Sequence, residues 1–372
     1  MTTFTIEQLS IPTSLDAPGA EDFRASVDVR NAVRVHDAGT DDVAASAELL
    51  LPGWLDPHEP KTLLVARVDG RIVARGVCER RVDETETAWM IAEVHPDFRR
   101  RGIGRALSLA LEEAARAEGR SKFIVYAPSP EPVGGGQAGG AAGGSADIER
   151  VDAPTGFGSV PAGSPEVRLL RDLGYTLEQV VRGSRLPLPV DRELLAAATA
   201  RARASAPAAQ YLLHSWVDRT PPQWREGIVH LLTRMSTDAP SAGLEEPEDE
   251  WTIERLLTDE ESNAGVRIAL TTAVEHVPSG ALVGFTEIAV PAEQDRAPWQ
   301  EDTLVLREHR GHRLGLLLKA ENLRLLQEHH PERRSITTYN AEENRHMLDV
   351  NEALGFRPFI YEGAWRKDLR QV

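Results

Sequence analysis

Apolar positions along this chain change period in a fixed order, and the order occurs twice. "TLLVARVDGRIVARGVCERRV" holds two short apolar runs on either side of Asp69-Gly70, which predicts a strand, a two-residue turn and a second strand. "TAWMIAEV" predicts a third strand. A helical repeat follows, with Ile103, Leu107 and Leu111 at i, i+4 and i+8 and Ala106, Ala110 and Ala114 beside them. "KFIVYA" reads as a buried strand. The second half repeats the order: strands in "VRIALTTAVEHV", "ALVGFTEIAV" and "EDTLVL", a helix from Arg313, the strand "SITTYN", and a helix over about 342–354.

Landmarks inside these elements align the halves. Val94 corresponds to Val305, Arg99 to Arg310, and Gly174 of "LLRDLGY" to Gly355 of "VNEALGF". The last pair lies closer to the others in the second half, so the first half carries extra residues. They fall in "PSPEPVGGGQAGGAAGGSADIERVDAPTGFGS", a glycine-rich stretch without periodicity that predicts a flexible insertion over about 129–160. "DRELLAAATARARASAPAAQ" predicts a helical linker closed by Pro207. The expected organisation is α/β, with a first domain over 1–190, a linker over 191–208 and a second domain over 209–372. Each domain is expected to be a mixed, twisted sheet flanked by helices.

Composition narrows the partners. The formal net charge is -16, with 58 acidic against 42 basic side chains, which disfavours nucleic acid and suits a cationic small molecule. The single cysteine, Cys78, excludes an internal disulfide and any multi-cysteine metal site; no metal is expected. Neither a signal peptide nor a membrane-spanning run is evident, so the chain is expected to be cytoplasmic. Monomer and homodimer are both compatible with the sequence.

Against that acidic background, "FRRRGIGRALSLALEEAARAEG" gathers positive charge and bare backbone at the start of a helix. A strand entering a glycine-containing turn at a helix N-terminus leaves N–H groups pointing outward, with the positive end of the helix dipole behind them. This is a cradle for a diphosphate, and its candidate residues are Val94, Arg99, Arg100, Arg101, Gly102, Ile103, Gly104 and Arg105. The second half offers Val305, Arg310, Gly311, His312, Arg313, Leu314 and Gly315. A P-loop is excluded by the missing Gly-Lys-Ser/Thr, and the dinucleotide fingerprint by Leu107 where a third glycine belongs.

At these residues the chain resembles the GNAT superfamily of acyl-CoA-dependent N-acetyltransferases. The family signature Arg/Gln-x-x-Gly-x-Gly/Ala is matched by Arg99, Gly102 and Gly104, while the second half has Arg313 at the first glycine position. "NAEENRHMLDVNEALGF" also resembles the family's later strand-to-helix segment. The tandem layout is similar to that of two-domain actinobacterial members such as mycothiol synthase. The resemblance implies a sheet whose fourth and fifth strands splay to admit the pantetheine arm of acetyl-CoA. It implies direct attack on the thioester by an acceptor amine, and it associates Asn344 with the cofactor arm.

Chemistry states what such a site needs. An alkyl ammonium with a pKa of ~10.4 must lose a proton before it attacks, so a base or a desolvating pocket is required. Glu301 and Asp302 on "EDTLVL" are the candidate bases; strict alternation lets only one face the cleft, and a bulge would change which. The family's tyrosine acid is replaced by Leu170 in the first half and Asn351 in the second, leaving Tyr339 as the nearby phenol. Glu84, Glu86 and Glu93 are the first half's carboxylates. Chemistry is expected in the second half through Glu301, Asp302, Tyr339 and Asn351, beside a first half with the better cradle. The alternative is a non-catalytic acyl-CoA-binding protein.

Overall fold

The computed structural model describes residues 3–129, 149–238, 240–245 and 247–369. The first half runs β1 (Thr5–Leu9), α1 (Ala20–Ala38), α2 (Ala47–Trp54), β2 (Lys61–Val68), β3 (Arg71–Glu79), β4 (Thr87–Val94), α3 (Ile103–Ala117) and β5 (Lys122–Ser129). It continues through β6 (Arg150–Asp152), β7 (Ser159–Pro161), α4 (Pro165–Asp172) and β8 (Thr176–Pro187). After the linker helix α5 (Arg192–Arg203) come β9 (Tyr211–Val217), α6 (Arg225–Asp238), α7 (Ile253–Ser262), β10 (Arg267–His276), β11 (Ala281–Pro291) and β12 (Trp299–Val305). The chain ends with α8 (Leu314–His329), β13 (Ser335–Ala341), α9 (Arg345–Ala353) and β14 (Arg357–Asp368).

The expected elements form where their patterns placed them. Asp69 and Gly70 both take positive φ, the geometry that a two-residue hairpin turn demands. The helix anticipated over 342–354 starts later, at Arg345, because the Asn344 side chain accepts from the Met347 N–H and caps it there. Part of the expected flexible insertion is ordered: Arg150–Asp152 pairs with Ser159–Pro161 as a hairpin, and Val160 and Ala153 are buried in the first half's core. Those two apolar side chains offset the ordering entropy that glycine alone cannot. The glycine-rich run over 133–144 lies outside the described residues.

Twelve strands form one continuous sheet, in the order β1-β2-β3-β4-β5-β14-β8-β13-β12-β11-β10-β9. The halves are joined by strand exchange. β14, the last strand of the second half, lies between β5 and β8, while β8 pairs with β13 of the second half. Alternating side chains feed a core on each face. On β2, Leu64 and Ala66 pack with α3 residues Ile103, Leu107 and Leu111, whereas Leu63 and Val65 pack with Phe23 of α1 and Trp54 of α2. The second half repeats this with α5 and α8 on one face and α6 and α7 on the other.

Two features of the sheet position the candidate site. β4 and β5 run parallel and pair only from Thr87–Lys122 to Met90–Val125; beyond that they diverge. In the second half the divergence begins at once, because β12 and β13 share the single register pair Trp299–Thr337.

Candidate active site

The two helix-start turns share one backbone shape built from different residues. Arg100 and Gly102 have φ of 63° and 84° in the first; Gly311 and Arg313 have φ of 86° and 57° in the second. The left-handed positions coincide, and glycine has changed places with arginine. Arg313 is therefore the N-cap and left-handed rather than helical, which corrects the sequence expectation. The conformation costs a non-glycine residue about 1–2 kcal/mol. Neither α3 nor α8 has a side-chain cap at its N-terminus, so the first-turn N–H groups remain free to bind an anion. A Cβ built on Gly102, Gly311 or Gly315 meets nothing within 4 Å, and one on Gly104 meets only Val94 and Leu169, at 3.5 and 3.9 Å. Backbone and space in both turns thus fit a diphosphate.

The signature arginines do something other than expected. Arg99 donates to Val94 O (3.1 Å) and to Asp37 at the end of α1 (2.9 Å). Arg310 matches it, donating to Val305 O (2.9 Å) and to Asp238 at the end of α6 (3.2 Å). Each arginine braces its turn against a helix on the opposite face. Arg101 donates to Asp97 O and lies over the Phe98 ring, while Arg100 and Arg105 are exposed. His312 Nδ1 is 3.1 Å from Ser205 O, tying the second turn to the end of the linker. Ile103 and Leu314 are buried anchors of their helices.

Beside the divergence of β12 and β13 lies a cavity of about 620 Å³, lined by residues of both halves, including Arg30, Arg34, Glu301, Asp302 and Tyr339. A β-bulge decides its chemistry. Thr303 pairs with Thr286 and Gln300 with Ile288, so Glu301 and Asp302 together oppose the single residue Glu287. Alternation alone would turn one acid away; the bulge brings both to the cavity wall. Glu301 accepts from Trp299 Nε1 and from Arg267 (3.3 Å), and Arg267 also reaches Asp259 (3.4 Å). Glu301 is surrounded by protein yet keeps about a third of its side chain open, as a group on a cavity floor does.

Burial raises all these carboxyls above the ordinary range. Asp302 is pushed up to about 7 by desolvation, then by the neighbouring charges of Glu301 and Asp249. Glu287 also reaches about 7, because desolvation and the surrounding acids outweigh the attraction of Arg267. Glu301 is raised by desolvation, against the pull of Arg267. A carboxylate near 7 beside an amine is a competent proton acceptor.

Other expected site residues lie elsewhere. Asn351 is fully buried: its amide donates to Asn340 (2.7 Å) and its oxygen accepts from Lys319 Nζ (2.7 Å). It belongs to an interior polar chain joining α8, α9 and β13 and does not line the cavity, which removes it from the candidate catalytic set. Lys319 is itself buried, and desolvation lowers its pKa to about 7. Tyr339 does line the cavity, but burial and the nearby Glu362 push its phenol up to about 12, making it a weaker acid than an ordinary tyrosine. Asn344 spends its side chain capping α9.

The first half's carboxylates are structural. Glu93 sits between Arg34 (3.0 Å) and Arg75 (3.2 Å), which outweigh its desolvation and hold it below the usual range. Glu84 accepts from the N–H groups of Glu86 and Thr87. Against the paired part of β4 and β5, beside Trp89, Ile124 and Tyr126, packs Leu244, 1% exposed, from the α6–α7 connection. That connection belongs to the acidic run "LEEPEDEW", which reads as a solvated loop. Arg366 binds Glu245 (2.8 Å), Lys122 donates to Glu245 O, and Arg81 to Pro247 O. The arrangement is reciprocal, since the turn at Asp41–Val43 of the first half packs on β13 and Asp42 pairs with Arg185.

Sequence reasoning missed Arg30, Arg34 and Arg267. The first two had a signal, an i, i+4 pair of arginines on the same stripe of the helix as Phe23 and Val27, which carries charge into its buried face.

Comparison with known proteins bears on the fold. Residues 32–130 match the Acetyltransferase (GNAT) family model. No curated protein matches the chain. A tandem GNAT protein from the clavulanic acid biosynthesis pathway superposes with a TM-score of 0.70 at 24% identity, covering 100% of both chains. A GCN5-related N-acetyltransferase from Sphaerobacter thermophilus gives 0.62 at 17% identity, covering 99% of this chain and 96% of that one. The chain therefore carries a GNAT-family match over residues 32–130 and the tandem GNAT fold over its whole length.

Proposed function

We propose that this protein transfers the acetyl group of acetyl-CoA to the primary amine of a small molecule, and that the second half performs the transfer. The observation that carries the reading is the β12 bulge, which turns Glu301 and Asp302 together into a cavity at the strand divergence. The 311–315 turn supplies backbone N–H groups and open space for the diphosphate of acetyl-CoA, with Arg310 bracing it. Acetyl-CoA brings an activated acyl carbon. The cavity desolvates the incoming ammonium, which lowers its pKa toward that of the carboxyls, and Asp302 takes the proton. The amine nitrogen then bonds to the acyl carbon and the carbon–sulfur bond breaks; the second nitrogen proton passes to the departing thiolate, so CoA leaves as the thiol and the acceptor as the amide. Glu301, held by Arg267 and Trp299, keeps negative charge at the cavity wall to attract the amine. Tyr339, a poor acid, serves as a hydrogen-bond donor.

For the first half the reading is binding of acyl-CoA without transfer, favoured by Glu93, whose carboxylate is held between Arg34 and Arg75. The test is free-thiol release from acetyl-CoA with a panel of small amines. Asp302→Asn should reduce kcat/KM by about 10²–10⁴ with CoA affinity unchanged. Full turnover in that variant would overturn the assignment of the base.

A further inference from the structure

The cavity that receives the amine has walls of opposite charge. At one end stand Glu301 and Asp302, with Glu287 and Asp259 close by; the cations there are Arg267, bound to Glu301 and Asp259, and Arg255, bound to Asp249. At the other end are Arg30 and Arg34, one turn apart on α1. Arg34 shares Glu93 with Arg75, so two guanidinium groups compete for one carboxylate. Arg30 donates to the Asn31 side chain (2.9 Å) and to Val43 O (3.1 Å), and has no carboxylate within ion-pair distance among the described residues. The second acid at this end, Glu362, is raised by desolvation despite Arg34, which weakens it as a counter-charge. The arginine end thus presents Arg30 and Arg34 to the cavity, with Glu93 shared between Arg34 and the buried Arg75, and the nearby Asp42 paired with Arg185.

A ligand carrying only an amine would leave Arg30 facing the cavity uncompensated. Desolvating such a charge without a partner is costly, and a ligand carboxylate would supply one, able to accept paired hydrogen bonds from the planar guanidinium. A volume of about 620 Å³ suits a metabolite of amino-acid size.

We propose that the acceptor is a zwitterion of the amino-acid class, its carboxylate seated on Arg30 and Arg34 and its amine presented to Glu301 and Asp302. This inference rests on the transfer reading for the identity of the reacting group, but the seat itself is a binding property. The chain dividing the two ligand charges comes from both halves, so the intact tandem protein is needed to form the site.

The test compares probes that differ in one group. Binding of L-ornithine and L-lysine to the full chain is measured by calorimetry against putrescine and cadaverine, which lack the carboxylate, with glycine and L-alanine covering the α-amine. Thiol release from acetyl-CoA is measured with the same panel. At least one amino acid should bind ten-fold or more tighter than its decarboxylated partner, and Arg30→Gln should erase that preference while leaving diamine binding unchanged. The probe comparison needs only the unmodified protein, so it holds even if the variant folds poorly. Equal or tighter binding of the diamines would overturn the zwitterion seat and leave amine acetylation standing. Amino-acid binding with no thiol release from any probe would uphold the seat and overturn the transfer reading. Binding of none of the probes would overturn the seat, and thiol release would then judge transfer separately.

Discussion

The two halves run the same element order, but the strand beside each divergence differs in one local feature. β4 keeps an unbroken register against β3 from Ala74–Val94 to Glu79–Trp89. β12 breaks its register against β11 with one extra residue. In the regular strand the acid near its end, Glu93, turns inward between two arginines and becomes part of the frame. In the bulged strand two acids reach a cavity and keep raised pKa values. The connections between helices differ as well: the second half's loop packs Leu244 onto Ile124 of β5 and Ala364 of β14, whereas the first half's turn at Asp41–Val43 lines the second half's cavity. The two halves share one scaffold, and a single bulge sets the acids of β12 apart from that of β4.

The sharpest way to break this comparison is to insert bulk and negative charge into each cradle in turn. Gly315→Glu should abolish turnover by repelling the diphosphate beside α8, an effect of about 10³-fold or more. Gly102→Glu should lower the CoA bound per chain and leave turnover largely intact, as read by calorimetry and thiol release. The reverse pattern would transfer catalysis to the first half. A pH profile adds a second discriminator. Because Asp302 acts as a base only when ionised, kcat/KM should rise with pH through about 7 and lose that limb in Asp302→Asn.

The next largest effect concerns Leu244. Leu244 is 1% exposed and packs on Ile124 and Ala364, so Leu244→Ala should cost about 2–4 kcal/mol in urea denaturation. The cavity so opened should not create a second active half, since Glu93 remains locked between Arg34 and Arg75. New turnover that survives Gly315→Glu would show that Leu244 alone silences the first half.

How much of this was legible in the sequence depends on how local the cause is. Asp69-Gly70, the i, i+4 stripe of α3 and the strand-turn-helix shape of both cradles depend on neighbouring residues, and they were read correctly. The side chains of Arg99 and Arg310 were read as phosphate ligands because spacing places them at a helix start; their acidic partners, Asp37 and Asp238, sit on helices far away in sequence. The exchange of β8 and β14 leaves no periodic trace, since a strand's alternation does not say which edge it joins. The bulge is equally silent, because it depends on Glu287 across the ladder. "LEEPEDEW" looked solvated for the same reason, its arginine partners Arg81 and Arg366 lying over a hundred positions away in opposite directions.

The smallest expected effect tests Lys319, whose counterpart in the first-half alignment is Ser108. This lysine is 1% exposed, bonds to Asn351 and lies 5.6 Å from the Phe356 ring centre. Desolvation lowers its pKa to about 7, whereas in the unfolded chain it returns to ~10.4. Between these values the unfolded state binds the extra proton, so this group makes folding stability rise with pH from about 7 toward 10. Below pH 7 both states are protonated, and the full cost of burying the ammonium is present. The slope cannot exceed about 1.4 kcal/mol per pH unit. Lys319→Met removes the titration while nearly preserving volume, although it leaves the Asn351 oxygen unpaired at a cost of about 1–3 kcal/mol that does not vary with pH. The stability of the variant relative to the parent should therefore be most favourable at pH 6 and decline steadily toward pH 9, whatever its absolute sign. Urea denaturation at several pH values measures that difference. A constant offset would mean that Lys319 titrates alike in both states and that the polar chain through Asn351 and Asn340 solvates it fully.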